Sequence, residues 1–232
     1  MAQVTCEGKT SREINSEIKR LLGDGETDIE VSATGGRHNL GVAILQEARI
    51  SFKGSVGYYC AGMIDGPTIE INGSAGWGLA ESMMSGKVIV NGNTGNGTGA
   101  ALRGGTIVIH GDAAARAGVS MKGGLILITG DAGYMSGFMG QKGTIIVCGD
   151  TGEGFADSMY ATVCYVAGKT DDLGNDTVIE DPTEEDTKFL TEALVQHLDG
   201  EHPDAGSFKK VVAGRKLWNF DKKDWKTWKE AL

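Results

Sequence analysis

Glycine clusters, evenly spaced carboxylates and a column of methionines are the residues in this sequence whose types and spacing suit chemistry. GNGTG at residues 95–99 has the composition of a phosphate loop, and Asp112, Asp131 and Asp150 stand at equal intervals like a cation ladder. Methionines recur in the series Ile64, Met83, Leu102, Met121, Gly140 and Met159, as a soft-metal groove would place them.

Spacing decides against each. A dinucleotide loop needs a third glycine at another interval, a strand before it and a helix after it. Here the motif returns as GWG at residue 76 and GEG at residue 152, so it marks a recurring corner of the chain. The aspartates do not have the nonapeptide spacing of a calcium ladder. Stacked inside a dry core they would be like charges about 5 Å apart, so they are expected to face solvent or accept hydrogen bonds from turn N–H groups. The methionine series keeps register with a strand column described below, which makes it core filling. Corner N–H groups can also form nests for small anions, which is the sharpest ligand reading the glycines allow.

Other groups add no centre. Cys6, Cys60, Cys148 and Cys164 show no CxxC pairing and read as reduced, partly buried thiols. His38, His110, His197 and His202 include no pair at helical ligand spacing, and His110 reads as an exterior strand residue. Neither a Ser-His-Asp order nor HExxH nor a Walker sequence is present. The expectation is therefore no catalytic, cofactor-binding or metal-binding residue in this chain.

The elements that position these groups follow from one interval. Gly35, Gly54, Gly73, Gly92, Gly111, Gly130, Gly149 and Gly168 keep a constant step, the one that leads from position 35 to position 54. A period of about 20 residues marks a solenoid, whose units cannot bury their apolar faces alone. Two and four residues before each glycine stand apolar, mostly β-branched residues, such as Ile69 and Ile71 or Ile107 and Ile109. Residues two apart share one face of a strand, so each repeat carries one short strand. The rest of each repeat holds too much glycine for a helix, since each Gly costs about 1 kcal/mol relative to Ala. Those glycines are read as corners at φ > 0. The fold class is mainly β, a right-handed parallel β-helix with a 19-residue period, short flanking helices and a C-terminal tail. Seven intervals at about 4.8 Å give a rod of about 34 Å.

The chain divides as an N-terminal helical cap over residues 1–27, the β-helix over 28–170, a loop and helix over 171–206, and a basic aromatic tail over 207–232. Thr10 and Glu13 form a capping box for a helix over residues 11–22, which is expected to cover the open end of the rod. Asp181 as cap and Pro182 at the first helical position start a second helix that ends at Gly200 and covers the far side or end.

With a net charge of −9, the 232-residue chain is acidic, yet residues 207–232 carry eight basic against three acidic residues, a local +5 that leaves −14 on the remainder. An acidic body argues against nucleic acid as the partner. Without an apolar run of about 18 residues or a signal-peptide layout, a cytoplasmic location off the membrane is expected. Trp218, Phe220, Trp225 and Trp228 lie among the tail's lysines and read as a partner anchor. On that reading, removing residues 207–232 leaves the rod folded and weakens assembly.

These corners resemble the GXGXG domain that closes the large subunit of glutamate synthase and recurs in a subunit of formylmethanofuran dehydrogenase. GSVGYYCAGM at residues 54–63, AESMMSG at 80–86, GDAAARAGVSMKG at 111–123 and SFKKVVAGRKLWNF at 207–220 are similar to the free-standing B subunits of N-methylglutamate synthases (methylamine-glutamate N-methyltransferases). The resemblance implies a hetero-oligomer. Its other members would be a class II glutamine amidotransferase-like subunit and a glutamate synthase-like subunit that binds FMN and an iron-sulfur cluster. The β-helix of such complexes has no catalytic residue to carry over. Amidotransferases of that class use an N-terminal Cys, whereas Ala2 follows Met1 here and Cys6 lacks the terminal amine. A free-standing piece of ordinary glutamate synthase or of formylmethanofuran dehydrogenase is the alternative.

Overall fold

The computed structural model describes residues 1–198 and 200–216. Nine parallel strands stack in chain order as β1 (Ala2–Thr5), β2 (Asp28–Ser32), β3 (Arg49–Phe52), β4 (Thr68–Ile71), β5 (Lys87–Val90), β6 (Thr106–Ile109), β7 (Lys122–Ile128), β8 (Lys142–Val147) and β9 (Ala161–Val166). The solenoid expected from the glycine interval is therefore the fold. From β3 to β9 the register follows the sequence period, with Ile50 beside Ile69, Ile69 beside Val88, and so on to Ile145 beside Cys164. The two columns anticipated as inward-facing are fully buried from Ile50 and Phe52 to Cys164 and Val166. Met83, Leu102, Met121 and Met159 join them in one core, which makes the methionines packing residues.

The helix α1 (Ser11–Gly23) has the predicted capping box, with Thr10 accepting from Glu13 N–H and the Glu13 side chain accepting from Thr10. It buries Ile14, Ile18 and Leu22 into the same core and covers its N-terminal end. Asn15 completes the job by imitating a peptide group. Its Nδ2 donates to the Asn39 carbonyl (2.6 Å) and its Oδ1 accepts from Gly41 N–H (2.8 Å), the second being a bond that a preceding coil supplies to Ala61, Ala80 and Gly99.

At the other end the structure corrects the sequence reading in two places and decides between its alternatives in a third. The second helix, α2 (Glu184–His197), is capped by Thr183 in a reciprocal box with Asp186, and it ends at His197. Thr183 Oγ1 accepts from Asp186 N–H and the Asp186 carboxylate accepts from Thr183 N–H, and this reciprocal box starts the helix two residues later than expected. Its place is the side of the rod. Leu190, Ala193 and Leu194 pack on Val108, Leu127, Ile146 and Tyr165, the outward residues between the two core columns on β6–β9. Finally, the loop and tail supply strands. β10 (Thr177–Glu180) and β11 (Lys209–Ala213) close the sheet in the order β9-β11-β10, both antiparallel, so the first part of the expected tail belongs to the sheet.

A half-buried clasp joins these last elements. Asp186 of α2 receives Lys210 Nζ of β11 (2.8 Å) and the Tyr165 hydroxyl of β9. Burial opposes the charge on Asp186, but the bonds from Lys210, Tyr165 and Thr183 outweigh it and hold the carboxyl well below the usual range. A carboxyl depressed in the folded state stabilises above its unfolded pKa, and that contribution is lost as pH falls through about 4 toward the folded value. Melting temperatures of the native chain and of Asp186→Asn should differ clearly at pH 7 and draw closer as pH falls below about 4. A gap that stays the same from pH 7 down to pH 3 would show that the carboxylate charge is not what the clasp uses.

Candidate functional site

The corners were the sequence's candidate for ligand chemistry, and the structure shows what occupies their polar groups. In each of six successive coils three alternating residues take positive φ, in columns that begin at Tyr59, Ala61 and Met63 and recur with the period of the glycines. Glycine fills only part of them. Arg116 (φ 61°) and Met135 (φ 52°) stand where Gly78, Gly97 and Gly154 stand in other coils, although a left-handed residue other than glycine costs about 1–2 kcal/mol. Hydrogen bonds between coils offset that cost. Tyr59, Gly78 and Gly97 donate to the carbonyls of Trp77, Asn96 and Ala115 in the following coil, while Ala61, Ala80 and Gly99 donate to Leu40, Cys60 and Leu79 in the preceding one. An anion nest needs convergent N–H groups facing a ligand. Here they alternate up and down the rod and are taken by carbonyls.

The repeat glycine has a different cause from the one expected of corners. Gly73, Gly92, Gly111, Gly130, Gly149 and Gly168 do not have positive φ. What excludes a side chain is contact, since a Cβ on Gly168 would lie 2.3 Å from the Gly149 carbonyl oxygen and 2.4 Å from Asp150 Oδ1. Gly57, Gly76 and Gly95 are likewise corners of close approach, which corrects the reading that all of these positions need φ > 0.

Beside that column runs a side-chain ladder. Ser55 Oγ accepts from Ser74 N–H and Ser74 Oγ from Asn93 N–H, then Asn93, Asp112, Asp131 and Asp150 each accept through Oδ1 from the next coil, ending at Lys169 N–H. The three aspartates are exposed and bonded to turn N–H groups, which is the arrangement expected for them. Among the described residues no group of three His, Cys, Asp or Glu side chains is placed to hold a metal ion.

No described cysteine offers an activated thiolate. Cys6, Cys60 and Cys164 are buried and Cys148 half-buried, and burial pushes Cys148 up to about 11 and the thiols of Cys60 and Cys164 higher still. His110 is exposed at the end of β6, as its place in the period implied.

The feature missed in the sequence is an aromatic shelf. His38, Tyr58 and Trp77 stack in successive coils with ring centroids 4.5 and 5.3 Å apart, and His38 Nδ1 accepts from Tyr58 N–H. The tyrosine ring lies on Gly76 and the tryptophan ring on Gly95, where a Cβ would come within 2.6 and 2.5 Å of them. Tyr58 and Trp77 remain 40% and 53% exposed, and the adjacent Tyr59 is exposed as well. The signal was present, because positions 58 and 77 differ by one period and each follows a corner glycine. A surface of large amphipathic rings on a rigid floor is suited to holding another macromolecule. The predicted anchor residues Trp218, Phe220, Trp225 and Trp228 lie outside the described residues.

Comparison with known proteins agrees with this geometry. The family model described as GXGXG motif matches residues 27–207, more than three quarters of the chain. Protein GlxC of Rhizobium meliloti (strain 1021) is 41% identical over 61 residues, which is 26% of this chain and 27% of that protein. The likeness to it thus spans about a quarter of each.

Proposed function

The chain belongs to the GXGXG motif family, and from that membership we propose that it is a structural, non-catalytic subunit of an N-methylglutamate synthase. The complex would convert glutamate and methylamine to N-methylglutamate and ammonia. In this reading the rod holds a class II amidotransferase-like subunit and a glutamate synthase-like subunit at a fixed separation, and FMN and the iron-sulfur cluster reside in the latter. The observation that carries the scaffold role is where the polar groups of the corners go. N–H groups and carboxylates that a ligand site would aim at a substrate are bonded from coil to coil, which stiffens the rod. Its surface instead offers the shelf of Tyr58, Tyr59 and Trp77. Trp218, Phe220, Trp225 and Trp228 would supply a second contact to a partner. No helix of the described residues is long and apolar enough to cross a membrane, and the complex is proposed to work in the cytoplasm.

The test is affinity purification of the full chain from its native cells, with partners identified by mass spectrometry and flavin read by absorbance. An amidotransferase-like chain with a yellow synthase-like chain, turning over methylamine and glutamate, is expected. Turnover of glutamine and 2-oxoglutarate instead would assign the rod to an ordinary glutamate synthase, and a molybdenum or tungsten protein would assign it to formylmethanofuran chemistry.

A further inference from the structure

The C-terminal end of the sheet is finished differently from the rest. β10 is the outermost strand, bonded to β11 along one edge, and no strand among the described residues pairs with the other. Which of its groups face outward follows from one bond. Gly214 N–H donates to the Asp176 carbonyl (2.8 Å), so the pair 176/214 is of the hydrogen-bonded kind. Pairs in an antiparallel ladder alternate, which puts Val178/Val212 and Glu180/Lys210 in the same class. Thr177 and Ile179 therefore aim their N–H and C=O away from β11.

Strand edges of this kind are usually blunted by lysine, proline or a bulge. The four residues Thr177, Val178, Ile179 and Glu180 have none of these, and Val178 and Ile179 are 36% and 47% exposed on opposite faces. α2 packs on β6–β9 and leaves β10 uncovered. The surroundings are acidic. Residues 171–186 contain eight Asp or Glu and no Lys or Arg. Asp186 is neutralised by Lys210, while Glu180, Asp181, Glu184 and Glu185 are exposed. Arg215 and Lys216 lie beyond Ala213, at the Thr177 end of the strand, and Lys209 at the other end offsets one of those four carboxylates, so the acidic excess sits at the Glu180 end.

We propose that the free edge of β10 is a docking site for an extended segment of a partner subunit, which adds a strand to the sheet and places lysines or arginines against Glu180, Asp181, Glu184 and Glu185. Main-chain bonds to Thr177 and Ile179 give the affinity and the acidic end sets the direction. A second copy of this chain fits less well, because antiparallel pairing of two β10 strands through Thr177 and Ile179 brings Glu180 of each against Asp176 of the other. The site requires only that the rod joins a complex, whichever member of the family that complex is.

The test uses the full chain and two acetylated octapeptides of alternating threonine and valine, one ending in three lysines and the other in three glutamates. In the peptide-free chain the Ile179 amide should exchange with solvent as fast as an open edge allows. The lysine peptide should bind saturably and protect that amide. Binding should fall at least tenfold in Ile179→Pro, which removes an outward N–H and no bond to β11, and in the double variant Glu180→Lys/Asp181→Lys. The charge variant keeps the test valid if the proline variant does not fold, and its unchanged melting temperature certifies the rod. Equal binding of both peptides, no binding of the lysine peptide, or undiminished binding in the variants would overturn the proposal. So would an Ile179 amide already protected in the peptide-free chain, by its own C-terminal segment in a monomer or by a second copy in a dimer. Because the readout is binding and amide exchange, it stands or falls independently of turnover on methylamine.

Discussion

Ending the chain at Gly206 is expected to unravel the C-terminal part of the rod, whereas ending it at Lys216 leaves the rod intact. Phe208 and Val211 are 3% and 0% exposed, and burial of each such side chain contributes about 1.5–3 kcal/mol. The shorter chain also loses the β11 pairing to β9 and leaves Asp186 without Lys210. Together these amount to about 5 kcal/mol or more, within the range of a whole domain's stability. For a chain of this size about 2–4 °C accompanies each kcal/mol, so the melting temperature should drop by about 10–20 °C. Because a solenoid coil touches only its neighbours, the loss should be graded along the rod. Amide exchange should rise in β9 and α2 while β3–β5 stay protected. Unchanged protection of β9 in the chain ending at Gly206 would restore the view of residues 207–216 as an appendage.

That view follows from composition, which hides a strand inside a basic run. Lys209, Lys210, Arg215 and Lys216 join the following lysines, yet Val211 and Val212 interrupt them as part of β11. Antiparallel closure on β9 has no period to announce it. The stacked coils, by contrast, were legible because one contact repeats: Gly54 to Gly168 and the apolar pairs before each glycine carry the register without any long-range information. β1 was missed since its pairing falls outside the period, with Ala2 beside Ile29 and Val4 beside Val31 across the whole of α1. The place of α2 was legible in principle. The residue between the two core columns changes from Ser51 and Glu70 to Val108, Leu127 and Ile146, and an apolar outer face on a strand must be covered. The left-handed columns were hidden wherever Tyr59, Arg116 or Met135 replaced glycine, because there the coil's hydrogen bonds override residue preference.

Gly149→Ala is expected to cost about 3 kcal/mol, at the upper end of ordinary overpacking, and about 6–12 °C in melting temperature. The added Cβ would sit 2.3 Å from Asp131 Oδ1, 2.6 Å from the Gly130 carbonyl oxygen and 2.7 Å from its carbon. The carboxylate could swing aside only by releasing Asp150 N–H, and the carbonyl is backbone that already accepts from Gly149 N–H. Relief therefore means prising two coils apart, which strains every bond between them. Gly97→Ala separates this cause from the other. Gly97 has φ +71° with nothing within 4 Å of a new Cβ, so its substitution carries only the left-handed penalty of about 1–2 kcal/mol. If the two variants melt alike, the repeat glycine is a matter of backbone dihedral. If Gly149→Ala is the more damaging, the glycine interval records the places where successive coils touch backbone to backbone. Gly130 and Gly168 should then behave as Gly149 does, since a Cβ there would lie 2.1 Å from Asp112 Oδ1 and 2.4 Å from Asp150 Oδ1.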